Sequence, residues 1–353
     1  MSQKESFSEP CSGTMSCLNA VCDPPHIAAL EDLAQLRQRP VVLYSSSWSF
    51  SSGAVTILYD CLRQLGPQEA LDVVLQCPGG DPALARRLAV LLRSFTQHLS
   101  ILVLEQASSS ATLLCLAADE LLMSPLGCLS PIDPQVVAAV PASSDQGDPA
   151  ATDVKRVGPH RIATEEVRMF GEMAQAWFGV GVSTEEKYSL LHLFCQRIFP
   201  TTLTAFYRAD QEMRQVAEEL LQYHEPDAAV RQRISDHLIS GFASHHHMIH
   251  CKEAQSIGLP VRQATAEEER CLWRLLTWSQ SYVGGVLVDP AAPGQWLRIR
   301  GVLASKGFVA HDVTPTDAPG GSPAVQPEKE LTTAPRPVVS GWRRLLPSTS
   351  DQT

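Results

Sequence analysis

The sequence lacks a long apolar run, a cluster of basic residues and a pattern of paired cysteines. No apolar segment approaches the roughly 18 residues that cross a bilayer as a helix. The segment from Met1 to Pro10 is polar, without the apolar core typical of a secretory signal. The formal net charge is -10, and no more than two basic residues are adjacent. These absences predict a chain with no transmembrane segment and speak against nucleic acid as a partner.

The cysteines do not show the spacing of a metal site. Ten are spread along the chain, and Cys11, Cys17 and Cys22 stand farther apart than paired ligands usually do. Four others lie in apolar segments, where they are typical of small core residues: Cys61, Cys77, Cys115 and Cys195. We therefore expect free thiols, a cytoplasmic location and no metal.

Apolar strands alternate with helical patterns in the first half of the chain. Strands are predicted at 41–44, 71–75 and 99–104, and helices at 24–36, 53–65, 81–95 and 109–123. Asp81 and Pro82 supply an N-cap and a first-turn proline for one of these helices. This alternation predicts parallel strands joined by right-handed crossovers, which is an α/β fold.

The second half of the chain is predicted to be largely helical. Capping patterns begin helices at Ser183 and Thr265. We expect a disordered leader, a main domain, a small strand-containing appendix and a disordered tail, with the boundaries 1–24, 25–285, 286–313 and 314–353.

Two glycines follow the second predicted strand, and three serines precede the next buried helix. Gly79 and Gly80 allow a ligand to approach the backbone closely, although a tight turn alone would also need them. The amides of Gly79 or Gly80 and of Ser110 could share one carbonyl oxygen and so form an oxyanion hole. A serine beside such amides is suited to acyl transfer.

These motifs, in this order, resemble the ClpP/crotonase superfamily. Within it, the sequence is similar to the serine dehydrogenase proteinase family, the cytosolic relatives of signal peptide peptidase A. The similarity rests on the segments CPGGD (77–81), ASSSATLLCLAADELLM (107–123), SPIDPQ (130–135) and 244–259. The family has glycine where this chain has Ser130. Over residues 25–285 the resemblance implies a ClpP/crotonase-like superhelix of strand-strand-helix units with a helical C-terminal half.

The resemblance carries the nucleophile onto Ser109, the middle serine of three. Ser110 stands where relatives usually have glycine or alanine, and Ser108 where they often have lysine or methionine. All three serines could instead only cap the helix. A serine also needs a base to take its proton.

Two residues are candidates for that base. Lys155 follows Ser109 by 46 residues, close to the offset in the lysine-dependent relatives, although its charged neighbours are typical of an exposed loop. His245 matches the Ser-His element of the family, and histidine is well suited to proton transfer near neutral pH. Asp133 could orient the base, bind the substrate backbone or cap a turn before proline.

Three functions remain open from the sequence. The first is an ATP-independent serine peptidase acting on peptides or unfolded segments, with no cofactor. The second is a crotonase-type acyl-CoA enzyme, for which Glu105 is the only carboxylate near the start of the helix. The third is a non-catalytic assembly or binding protein. The resemblance also implies a homo-oligomer. The histidines at 245–247 and 250 are spaced too closely along the chain to converge on one ion from a regular helix.

Overall fold

The computed structural model describes residues 25–138, 160–178, 183–197, 200–289, 292, 294–317 and 341–344. The predicted leader and Lys155 lie outside these ranges, as does most of the predicted tail. The strands are β1 (Val41–Ser46), β2 (Gln68–Cys77), β3 (Thr96–Ala107), β4 (Glu120–Met123), β5 (Cys128–Leu129), β6 (Gln135–Ala138), β7 (His160–Ala163), β8 (Val261–Gln263), β9 (Val286–Val288), β10 (Trp296–Ser305), β11 (Phe308–Thr316) and β12 (Gly341–Arg343). The helices are α1 (Pro25–Arg37), α2 (Ser52–Leu65), α3 (Pro82–Phe95), α4 (Ser110–Cys115), α5 (Thr164–Phe178), α6 (Thr184–Arg197), α7 (Pro200–Leu221), α8 (Ala228–Ser240), α9 (Cys251–Ile257) and α10 (Ala266–Tyr282).

A mixed sheet is the framework of the described chain. Its strand order is β12-β11-β10-β1-β2-β3-β4-β8, and β1, β2, β3, β4 and β8 run parallel. Alternate residues of these strands enter two separate apolar cores, one beneath α2, α3 and α4 and the other beneath α1 and α10. Because both faces are covered, the central residues of β2, β3 and β4 form continuous apolar runs, as expected for parallel sheets. The predicted α/β fold with a parallel arrangement of these strands is confirmed.

Helix caps follow the sequence pattern closely. The Asp81 side chain accepts a hydrogen bond from the Ala83 amide at 2.9 Å, and Pro82 is the first residue of α3. Thr265 and Glu268 form a reciprocal capping box at the start of α10. Both predicted helix starts are confirmed.

The helix predicted over 109–123 is wrong in its second half. The helix α4 ends at Cys115, and Glu120–Met123 forms β4 between β3 and β8. The segment is apolar on every side, and such a short run fits a strand buried on both faces as well as it fits a helix. Pairing with two neighbouring strands decides between the two conformations.

The segment 286–313, expected as a small appendix, extends the central sheet. Strand β10 pairs antiparallel with β1, and β11 continues the sheet beyond it. Residues 314–316 complete β11, and residues 341–343 of the expected tail pair with β11 as β12. Backbone pairing with β10 covers the edge that β1 would otherwise expose.

A buried ion-pair network lies towards the amino ends of the parallel strands. The guanidinium of Arg37, 5% exposed, contacts Asp72, Glu120 at 2.6 Å and Glu268 at 2.7 Å. Arg262 pairs with both glutamates. Burial alone would raise the pKa of Glu120, but hydrogen bonds from Arg37 and Arg262 lower it to about 2. The pKa of Glu268 is likewise lowered to about 2, against the effect of burial, by Arg262 and the backbone amide of Thr265.

Among the described residues, no helix combines the length and apolar character needed to cross a membrane.

Candidate active site

The carboxyl ends of β2 and β3 bring the glycine turn and the serine cluster side by side. Cys77 and Ala107 are register partners, and the Ser108 amide donates to the Cys77 carbonyl at 3.1 Å. The chain after Cys77 therefore runs next to the chain after Ala107. This juxtaposition follows from parallel pairing, since parallel strands end at the same edge of a sheet.

Gly79 packs against the backbone of the serine cluster. A Cβ atom on Gly79 would lie 2.3 Å from the Ser108 carbonyl oxygen and 3.0 Å from the Ser110 nitrogen. The φ of Gly79 is +97°, which side chains rarely allow. Its carbonyl accepts a hydrogen bond of 2.7 Å from the Phe50 amide, which fixes the turn to the loop after β1. Only glycine fits at this position.

Ser109 adopts a backbone conformation that non-glycine residues avoid. Its φ is 53° and its ψ is -122°, as at the first central position of a type II′ turn, which glycine normally occupies. The Ala111 amide donates to the Ser108 carbonyl at 2.9 Å and closes this turn. Such strain costs on the order of 1–3 kcal/mol and is concentrated at functional sites. The turn projects a partly exposed Ser109 from the junction of β3 and α4, as a nucleophile elbow does. We call this turn, residues 108–111, the elbow.

The two neighbouring serines are in different environments. The Ser108 hydroxyl accepts a hydrogen bond of 2.6 Å from the Gln106 side chain. Ser110 is only 1% exposed, and its hydroxyl has no partner among the described residues. A substrate cannot reach a hydroxyl in the interior, so Ser110 can contribute only its amide.

Backbone amides near Ser109 differ in what they bind. The Ser109 amide itself donates to Ser130 Oγ at 2.7 Å. The Gly79 amide faces the sulfur of Cys77 at 3.4 Å. In the part of the chain that the structure describes, the amides of Gly80 and Ser110 donate to no protein acceptor. These two donors are the ones free to bind an oxygen of a substrate.

His245 and Asp133 form a pair close to this turn. His245 Nδ1 lies 2.6 Å from Asp133 Oδ1, with side-chain exposures of 17% and 5%. Reciprocal backbone hydrogen bonds of 3.0 and 2.9 Å join Leu129 and Ile249 and bring the two segments together. A buried carboxylate on Nδ1 leaves Nε2 as the ring nitrogen available to a substrate or nucleophile.

Two cavities meet at Ser109. The smaller, about 250 Å³, is lined by Ser109, His245, Ser108, Ser130 and neighbouring residues. The larger, about 630 Å³, is lined by Ser109, Gly80, Asp133 and residues of α3 and α7. Ser109 and His245 thus face a common space, although their side chains are not hydrogen-bonded to each other. Glu105 lines neither cavity, and its carboxylate accepts hydrogen bonds from Gln76 and Gln280.

The structure brings together Gly79, Gly80, Ser109, Ser110, and the Asp133–His245 pair, while Lys155 lies outside the described residues. Sequence reasoning missed the contact of Ser130 with the Ser109 amide, although the replacement of the family glycine marked that position. It also did not identify Met213 and Val216 of α7 as walls of the larger cavity. Nothing in the sequence shows which distant helix closes a cleft.

Other groups near the site are less suited to act as a nucleophile or as metal ligands. Burial raises the pKa of the Cys77 thiol to about 12, so that it stays protonated at neutral pH. His247 pairs with Glu253 at 3.0 Å on the exposed side of the loop. Within the described ranges no three His, Cys, Asp or Glu side chains are grouped so that they could hold a metal ion.

Comparison with known proteins gives a family for this region. Residues 56–160 match the family described as ClpP-like SDH-type serine proteinase. Two uncharacterized proteins of Methanocaldococcus jannaschii are 31% identical over 75 residues and 29% identical over 82 residues. These segments are 21% and 23% of this chain, and they span 26% and 28% of the relatives' own lengths.

A solved structure was also found. A serine-to-alanine mutant of the membrane-bound stomatin-specific protease 1510-N aligns with a TM-score of 0.36 and 12% identity, covering 68% of this chain and 82% of that one. The resemblance to ClpP-like serine proteinases seen in the sequence is confirmed by the family match.

Proposed function

We propose that this chain, whose residues 56–160 match ClpP-like SDH-type serine proteinases, hydrolyses peptide bonds with Ser109 as nucleophile. One observation carries the proposal. Ser109 occupies a strained turn on a cavity that it shares with His245, whose Nδ1 is held by Asp133. A hydroxyl, an imidazole and a carboxylate in this order are the parts of a serine hydrolase.

The reaction would begin with proton transfer. His245 Nε2 takes the proton of Ser109 Oγ while the oxygen attacks the carbonyl carbon of the peptide bond. The Asp133 carboxylate accepts a hydrogen bond from the Nδ1–H of His245, which fixes the tautomer and stabilises the imidazolium. The hydrogen bond from Ser109 Oγ to His245 Nε2 is the one that must form for this step. Such catalytic hydrogen bonds are often long or poorly aligned in a free enzyme and tighten when substrate binds.

The tetrahedral intermediate needs donors for its negative oxygen. In this proposal the amides of Gly80 and Ser110, which donate to no described protein acceptor, supply them. The imidazolium then gives its proton to the departing amine, and the acyl group remains on Ser109. Water, deprotonated by the same imidazole, hydrolyses this ester and restores the free enzyme. No cofactor takes part in these steps.

The positions of the two cavities suggest how a peptide would lie. The group that protonates the leaving amine is His245, which lines the smaller cavity. The amine side of the cleaved bond therefore leaves through that cavity, and the acyl side occupies the larger one. Peptides or unfolded segments are the proposed substrates, because the larger cleft of about 630 Å³ can hold side chains on the acyl side of the bond.

Labelling with a fluorophosphonate tests the nucleophile. We expect the wild type to be labelled, S109A to lose labelling completely, and S108A and S110A to retain it. A wild type that is not labelled, or an S109A variant that is still labelled, would overturn the proposal. Acyl-CoA binding in calorimetry together with absent labelling would favour the crotonase-type alternative.

Peptide cleavage by base variants tests the proton transfer. We expect H245A to lower kcat by about 10²–10⁴-fold, as removal of a general base does, and D133N to lower it strongly, while K155A keeps most of the activity. Loss of activity in K155A with H245A unaffected would assign the base to Lys155 instead. All four proteins should be compared at equal folded fraction, measured by circular dichroism.

The family resemblance further leads us to propose a homo-oligomer located in the cytoplasm. Sedimentation velocity of the full chain measures the oligomeric state directly. A monomer at micromolar concentration would contradict this expectation without affecting the assignment of Ser109.

A further inference from the structure

Ser130 holds the backbone of Ser109 in place. Its hydroxyl accepts a hydrogen bond of 2.7 Å from the Ser109 amide and donates one of 3.1 Å to the Pro131 carbonyl. Ser130 is 6% exposed, so solvent has little access to replace this acceptor. The family pattern has glycine at this position, and glycine has no side chain with which to make the contact.

Ser130 is itself fixed to the elements that form the elbow. Its backbone amide donates to Thr112 Oγ1 at 3.0 Å, and that hydroxyl donates to the Ala107 carbonyl at 2.7 Å. Ala107 ends β3 and Thr112 lies in α4, so these bonds connect both sides of the Ser109 turn. The hydrogen bonds from Ala107 through Thr112 and Ser130 to Ser109 form a closed ring around the strained residue.

The segment that carries Ser130 also carries Asp133. Ser130 precedes Asp133 by three residues, and Asp133 binds His245 Nδ1. One short segment therefore fixes the amide of Ser109 and the carboxylate that orients His245. A shift of this segment would alter the distance between Ser109 Oγ and His245 Nε2.

We propose that Ser130 is a positioning residue. By accepting a hydrogen bond from the Ser109 amide, it holds the strained Ser109 turn in position relative to the Asp133–His245 pair. This inference rests on the proposed function and adds a role to that site. Ser130 acts through the backbone of Ser109 and does not touch the reacting atoms. Its effect appears in the chemical step, where misplacement of about 1 Å costs about 100-fold in rate.

The proposal is tested with S130A, S130G and S130T, using S124A as the matched control. Ser124 is also a buried serine after β4, and its hydroxyl donates to the Leu104 carbonyl without touching the elbow. We expect S130A and S130G to lower kcat and the rate of fluorophosphonate labelling between 10-fold and 100-fold with KM changed less than 3-fold. S130T, which keeps the hydroxyl, should recover most of the rate, and S124A should keep wild-type rates.

Amide hydrogen exchange gives a readout that does not depend on activity. The Ser109 amide should exchange faster in S130A and S130G than in the wild type, and at the wild-type rate in S124A. S130G introduces the glycine that the family has at this position, so it is the variant to use if S130A does not fold. Wild-type kcat and labelling rates in S130A and S130G would overturn the role of Ser130 while leaving Ser109 as nucleophile. An equal loss of kcat and labelling rate in S124A would do the same. A wild type that is never labelled would instead overturn the proposed function and this role with it.

Discussion

Towards the amino ends of β2, β3 and β4, charged side chains are paired in a buried network. At the carboxyl ends of β2 and β3, the backbone forms turns with positive φ, and two of their amides have no acceptor among the described residues. Arg37 satisfies Asp72, Glu120 and Glu268 at the first end. At the second end, Gly79 and Ser109 have positive φ, and the amides of Gly80 and Ser110 donate to no described protein acceptor. The first arrangement stabilises the fold. The second costs stability, because Ser109 is strained and two amides have no described protein acceptor.

Under the proposed function, one end of the sheet serves stability and the other serves activity. Mutations at the amino end should change stability and leave the activity of folded molecules intact. Mutations that displace the Ser109 turn at the carboxyl end should change activity more than stability. The labelling rate of folded protein measures the effect on activity and the unfolding free energy measures the effect on stability, so the separation can fail at either end.

The largest effect is expected for Gly79→Ala. The new Cβ would lie 2.3 Å from the Ser108 carbonyl oxygen, so the Ser108–Ser110 backbone must move. We expect labelling of Ser109 by a fluorophosphonate to fall at least 100-fold, because displaced catalytic groups lose rate steeply. Labelling kinetics on folded protein measure this loss.

Gly66→Ala is the matched control for that variant. Gly66 also has positive φ, at +71°, but nothing lies within 4 Å of the added Cβ. With a ψ of 177°, the alanine should cost on the order of 1–3 kcal/mol of unfolding free energy from backbone strain alone and keep the wild-type labelling rate. Equal rates of Ser109 labelling in Gly79→Ala and Gly66→Ala would show that the contact of Gly79 with the Ser109 turn is irrelevant to activity.

The second effect is loss of stability in Arg37→Met. Three carboxylates would lose a common partner, and breaking a buried ion pair in this way costs about 3–5 kcal/mol. Arg274→Met is the control, because Arg274 and Asp32 join the same helices, α10 and α1, with both side chains about half exposed. Such an exposed pair is worth about 0–1 kcal/mol. Urea denaturation measures both costs, and similar costs for the two variants would contradict a special role for the network.

Much of the fold, and less of the site, could be predicted from the sequence. Gly79 and Gly80 can be identified because a glycine pair at a strand end, followed by serines at the start of the next buried helix, has few purely structural explanations. Ser109 is selected among the three serines by the family resemblance. Asp133 and His245 were candidates separately, but 112 residues separate them, and no local pattern shows that the Leu129–Ile249 bridge brings them together. The strand β4 was mistaken for helix because its pairing partners, β3 and β8, are distant in sequence. Long-range pairing decides such cases, and a single sequence does not display it.

The third effect is the dependence of stability on pH. The pKa values of Glu120 and Glu268 are about 2 in the folded protein, below their ordinary value of 4.5. Folded-state values below the unfolded ones mean that the stabilisation is present above pH 4.5 and is lost as the pH falls towards 2. Unfolding free energy measured between pH 5 and pH 2 should decline less steeply in the double variant E120Q/E268Q than in the wild type. Parallel declines would show that these two carboxylates do not carry the acid sensitivity.

The smallest effects come from two buried serines at opposite ends of the strands. The Ser110 hydroxyl, beside the elbow, has no partner among the described residues, so Ser110→Ala should raise the unfolding free energy by about 1 kcal/mol. The Ser100 hydroxyl donates to Glu120 at 2.9 Å and accepts from Arg39 at 3.1 Å, so Ser100→Ala should lower it by about 1 kcal/mol. Because alanine keeps the amide of residue 110, labelling of Ser109 should persist in both variants. The same substitution thus changes stability in opposite directions because one hydroxyl is bonded and the other is not. A stability loss in Ser110→Ala would mean that its hydroxyl has a partner, such as a buried water, and would weaken the contrast between the two ends.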